Sequence, residues 1–104
     1  MTAKVRLTSA QLEAIRRAVR QVAGEGARVF LFGSRTDPEA RGGDIDLLVR
    51  LDRPLDEAAR FRLKLDVLAR LYRELGERRI DLVIVAGEPR SDFEYTVVKE
   101  AVPL

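Results

Sequence analysis

The chain has 104 residues, 19 of them Lys or Arg and 17 Asp or Glu, with a formal net charge of +2 and neither cysteine nor histidine. That composition excludes a disulfide scaffold, a Cys/His zinc site, Cys–His catalysis and any triad built on imidazole, and so small a net charge is no argument for nucleic-acid binding. The length fits one domain over residues 1–104; no apolar run reaches the length of a membrane span and the start lacks a signal-peptide core, so a cytoplasmic setting is expected.

Thr8 and Ser9 precede an apolar-periodic run, and Thr8 with Gln11 has capping-box spacing. Leu12, Ile15, Val19 and Val22 then recur at three and four residues, which predicts a helix over 9–23 with Arg16, Arg17 and Arg20 off its apolar stripe. Gly24 and Gly26 stop it. Residues 28–32, RVFLF, are β-branched or aromatic and glycine-bounded, and predict a buried strand. A polar loop over 33–43 leads to a second strand over 45–51, IDLLVRL, closed by a turn at Asp52, Arg53 and Pro54.

A long helix is predicted from Asp56 to Leu75. Its stripe runs Ala58, Phe61, Leu65, Leu68, Tyr72, Leu75. Leu63, Val67 and Leu71 widen the apolar arc to roughly 220° at about 100° per residue. One sheet face does not need so wide an arc, so the excess should touch another helix, in this chain or another. A third strand follows over 80–85, then a turn at Gly87 to Pro89. Ser91 and Glu94 open a short helix to about Ala101, with Phe93, Val97 and Val98 as its apolar contacts. The order helix, strand, loop, strand, helix, strand, helix predicts an α+β (α/β two-layer) fold, a short mixed sheet with helices packed on it. The short loop between the first two strands suits an adjacent, hairpin-like pair.

Three acidic residues stand where strands disfavour them: Asp44 at the entry to strand two, Asp46 inside it and Asp81 inside strand three. The two-residue spacing of Asp44 and Asp46 puts both carboxylates on one face, and Asp81 joins them if strands two and three are neighbours. Three converging carboxylates repel one another unless a divalent cation lies between them. Mg²⁺ is the hard ion that carboxylates and phosphates bind together. The apolar neighbours Ile45, Leu47, Ile80 and Leu82 would hold the opposite face in the core. Gly33 and Ser34, directly after strand one, allow backbone N–H groups to approach a phosphate. Arg35 adds a positive charge beside them, and Arg41 could do the same from the far end of the loop. Such a site suits in-line attack on a nucleoside triphosphate, which needs no histidine.

FGSRTDPEARGGDIDLLV resembles the nucleotidyltransferase signature of the DNA polymerase β superfamily: Gly-Ser, a variable loop, then Asp-x-Asp among apolar residues. Asp81 in RIDLVIV stands where the third family carboxylate is expected. The resemblance covers about residues 10–104 and is closest to the minimal nucleotidyltransferase (MNT) domains, small stand-alone prokaryotic proteins. It implies that Gly33 and Ser34 contact the triphosphate of ATP or another NTP, with Arg35, by its charge and position, a further candidate for nucleotide binding. It also implies that Asp44 and Asp46 ligate Mg²⁺ and that Asp81 assists the metal and the nucleophile. It further implies a helical HEPN partner, an RNase toxin, whose tyrosine receives AMP while this chain acts as antitoxin, with a homodimer as a further arrangement. Two rival functions stay open on the sequence. One is a non-catalytic antitoxin that silences its partner by contact. The other is a nucleotidyltransferase acting on a small molecule or RNA, though direct nucleic-acid binding is disfavoured by weak net charge and few stacking aromatics.

Overall fold

The computed structural model describes residues 7–33, 45–76 and 78–104. It contains α1 (Ser9–Ala23), β1 (Arg28–Phe32), β2 (Ile45–Leu51), α2 (Glu57–Leu75), β3 (Ile80–Ala86), α3 (Asp92–Glu100) and β4 (Val102–Pro103). The four strands form one mixed sheet in the order β3-β2-β1-β4. β1 runs antiparallel to both β2 and β4, and β3 runs parallel to β2. The α+β architecture read from the sequence is the one observed.

Local chemistry sets the helix ends. The Thr8 hydroxyl accepts the Gln11 backbone N–H at 3.0 Å while the Gln11 side chain accepts the Thr8 N–H at 2.9 Å, so the capping box is complete. The Asp56 carboxylate caps α2 by accepting the Ala59 N–H at 2.7 Å. Ser91 accepts the Glu94 N–H at 3.1 Å, but the Glu94 side chain accepts from Arg90 N–H at 2.9 Å rather than from the cap residue, so this end is not a reciprocal box. α1 closes on Gly24 at φ +97° and α2 on Gly76 at φ +81°, a region side chains with a Cβ resist.

The two faces of the sheet are covered unequally. α1 (Ile15, Ala18, Val19) and α2 (Val67, Leu71) pack on Val29, Leu31, Ile45, Leu47, Val49, Ile80, Leu82 and Ile84 in the main core. Ile45, Leu47, Ile80 and Leu82 are therefore core residues, as their alternation with aspartates implied. α3 covers the other face with a smaller cluster of Leu48, Val85 and Val97, flanked by Phe30, Phe32, Val83 and Val98.

Two expectations about apolar faces are corrected. In α2 the buried residues are Val67 and Leu71, with Leu63, Leu68 and Leu75 packed beside them, whereas Phe61, Leu65 and Tyr72 of the expected stripe are exposed. α1 packs against α2, so the face that carries Val67 and Leu71 is the one enclosed. In α3, Val97 is buried and Val98 partly so, but Phe93 is exposed. The chain end also pairs as β4 with Phe30 and Leu31, an element not anticipated.

Candidate active site

The sheet register builds the site. In β1–β2 the last residue of β1, Phe32, is opposite Asp46; in β2–β3 Asp46 is opposite Asp81. Directly paired residues in a sheet share a face, so the two carboxylates stand side by side at one end of the sheet. Their alternation with Ile45, Leu47, Ile80 and Leu82 puts them on the α3 face, opposite the main core. Asp81 is exposed and Asp46 half-buried. One backbone bond fixes this end: the Ile45 N–H donates to the Arg79 carbonyl at 2.9 Å. That contribution of Arg79 was missed from the sequence, and no side-chain pattern signals a main-chain acceptor.

Gly33 follows Phe32 and turns the chain at φ +72°. A Cβ on Gly33 would overlap Asp46 Oδ2 and lie 3.0 Å from Cγ and 3.3 Å from Cβ of the same side chain. Only glycine satisfies both the positive φ and this close approach. The backbone after β1 thus lies directly against the Asp46 carboxylate, and the structure brings together Gly33, Asp46 and Asp81. Ser34, Arg35, Arg41 and Asp44 lie outside the described residues.

The donor set fits a hard divalent cation. Paired carboxylates on adjacent strands supply oxygen ligands of the kind such an ion takes. Among the described residues, no group of three or more His, Cys, Asp or Glu side chains that could hold a metal occurs. Asp46 and Asp81 are two members of the expected set, and its third, Asp44, is not among those residues. No described helix is long and apolar enough to cross a membrane.

Comparison with known proteins gives one family. The model of the nucleotidyltransferase domain matches residues 12–104, which spans the Gly33 turn, both described carboxylates and all the strands. No curated protein matches the chain.

Proposed function

We propose that this chain, which belongs to the nucleotidyltransferase domain family of the DNA polymerase β superfamily, transfers a nucleoside monophosphate, AMP from ATP, to a hydroxyl group. The observation that carries this reading is the direct pairing of Asp46 with Asp81 beside a positive-φ glycine whose missing Cβ leaves room for the Asp46 carboxylate. Asp44, Asp46 and Asp81 would hold Mg²⁺. The ion, when bound, would neutralise the triphosphate and favour the deprotonated hydroxyl.

In the proposed reaction the acceptor oxygen forms a bond to the α-phosphorus, the bond from that phosphorus to the bridging oxygen breaks, and pyrophosphate leaves with the electron pair. The hydroxyl proton passes to a carboxylate oxygen of Asp81, which is exposed on the site face and open to an incoming acceptor. Gly33, with Ser34 and Arg35 after it, would let main-chain N–H groups and a guanidinium meet the phosphates. On the resemblance to minimal nucleotidyltransferase domains, the acceptor is proposed to be a protein, a tyrosine of a helical HEPN toxin, with this chain as its cytoplasmic antitoxin.

Intact-mass spectrometry of the chain mixed with Mg²⁺, ATP and the protein encoded beside it tests the proposal. The partner is expected to gain about 329 Da per AMP, and the gain should vanish with the D44N/D46N double variant. A stable complex that silences the partner without a mass gain would leave a binding module and sink the enzymatic reading.

A further inference from the structure

At the start of β1, the end of the sheet away from the carboxylates, positive charge accumulates without a counter-charge. Arg28 is directly opposite Arg50 in the β1–β2 register, and like charges opposed in this way repel. Arg50 turns part of its guanidinium to the Gly87 carbonyl at 3.3 Å. The Arg28 guanidinium instead lies 5.9 Å from the centre of the Phe30 ring, two residues along the strand on the same face. Among the described residues no ion pair joins Arg20, Arg28 or Arg50 to a carboxylate.

α1 brings two more guanidiniums to the same place. Only residues 24–27 join α1 to β1, so the last turns of the helix lie back over the first residues of the strand. Arg16 and Arg20 are one turn apart and share a side of the helix. With Arg28 they line a cavity of about 410 Å³. The rest of its lining is apolar, including Val19, Val29, Phe30 and Leu104, and holds no Asp or Glu. Of the three arginines only Arg16 has an ion pair, with Glu13 at 3.4 Å, and both side chains are open to water. Such a surface pair is weak and readily exchanged for a better partner.

We propose that this cavity is a binding site for a small phosphate monoester of nucleoside monophosphate size, with the phosphate among Arg16, Arg20 and Arg28. Guanidinium groups are permanently charged, and their planar fork matches two phosphate oxygens at once. A dianion held by three of them sits where the fold leaves like charges uncompensated. The cavity is larger than a bare phosphate needs, and its apolar lining suits the uncharged body of such a ligand. A nucleic-acid strand or an acidic peptide asks for an extended basic track. Here the arginines meet at one cavity, and a net charge of +2 gives little long-range attraction for a polyanion. The site is distinct from the metal carboxylates. Arg28 opens β1 and Gly33 follows its end five residues on, about 17 Å at about 3.4 Å per residue. The proposal therefore stands independently of the transfer reaction.

Titration of the whole chain with AMP in EDTA, followed by calorimetry and by backbone amide shifts in NMR, tests this. EDTA keeps the carboxylate site free of metal. Saturable binding of one AMP per chain is expected, with a Kd of about 10–500 μM and shifts centred on Arg20, Ala27, Arg28 and Val29. Adenosine, which lacks the phosphate, should bind at least about thirtyfold more weakly, and inorganic phosphate about tenfold more weakly at the same amides. Arg28→Gln and Arg20→Ala should each weaken AMP at least about tenfold, and Arg28→Lys, which keeps the charge but loses the fork, should fall between. Arg28→Gln also relieves the repulsion from Arg50, so its unfolding midpoint without ligand should not drop. Asp81→Asn should bind AMP as the native chain does. Four results would each overturn the proposal: no saturable binding, inorganic sulfate bound as tightly as AMP, shifts centred on Gly33 and indifferent to Arg28→Gln, or an oligonucleotide or acidic peptide held more tightly than AMP through the same arginines.

Discussion

Gly33 is under two constraints at once, a positive φ and the Asp46 side chain against the space a Cβ would take. Gly33→Ala should cost about 1–3 kcal/mol in urea unfolding, because the new methyl must displace the carboxylate or the turn. It should also lower nucleotide transfer, since the displaced group is a proposed metal ligand. Asp81 makes the opposite case. It is exposed, its neighbours Ile80 and Leu82 carry the packing, and its partner in the register is another carboxylate. Asp81→Asn removes a like-charge pair, so in EDTA it should leave stability unchanged or raise it by about 0.2–1 kcal/mol. On the proposed function Mg²⁺ should raise the Tm of the native chain, and the same change should abolish that rise and reduce transfer at least about a hundredfold. Thermal melts with and without Mg²⁺ separate these effects. An Asp81→Asn chain that Mg²⁺ still stabilises as much as the native one would remove Asp81 from the metal site.

At the scale of the element, α2 shows what one sequence could and could not say. Its limits were legible because they are local: Asp56 caps the start and Gly76 ends it through its N–H to the Tyr72 carbonyl. Its orientation was not legible. With apolar residues over more than half its circumference, Phe61, Leu65 and Tyr72 make as good a stripe as Val67 and Leu71, and the position of α1 decides between them. Leu71→Ala should therefore cost about 2–5 kcal/mol, as a fully buried residue leaving a cavity. Leu65→Ala, at a half-exposed position, should stay within about 0.5 kcal/mol. Equal losses in chemical denaturation would show that the helix presents the other face. The same division runs through the site. Aspartates inside strands stood out by residue type alone, and period-2 alternation gave their face. That Asp46 and Asp81 are directly paired depends on β2 and β3 being parallel neighbours, a long-range fact. β4 was illegible for a different reason: two residues, one of them proline, carry no alternation, and only the proximity of β1 makes them a strand.

For the whole molecule, the unequal covering of the sheet sets an order of stability. The α1/α2 face holds the larger core, with Ile15, Leu31, Ile45, Leu47, Val67 and Leu71 all fully buried. α3 rests on Leu48, Val85 and Val97. What joins α3 to the rest, beyond that cluster, passes around the β3 edge to α2. Arg60 pairs with Glu94 at 3.0 Å, and the Arg90 guanidinium donates to the Leu55 carbonyl at 2.7 Å. Glu94 is the centre of this fastening, since its second oxygen accepts the Arg90 N–H. Both charged side chains are largely shielded, at 23% and 14% exposure for Arg60 and Glu94, so the pair is screened less than an open surface bridge. Glu94→Ala removes the ion pair and the Arg90 contact together. It should cost about 1–2 kcal/mol, and the loss should be local. In native-state hydrogen exchange, amides of α3 should speed up by about tenfold or more, while those of β2, held between two strands in the main core, change little. Because β4 is the continuation of α3 and pairs with only Phe30 and Leu31, its protection should fall with that of α3. Uniform acceleration across β2 and α3 would mean instead that the two faces unfold as one cooperative unit, and that the small cluster under α3 is as integral to the fold as the core beneath α1 and α2.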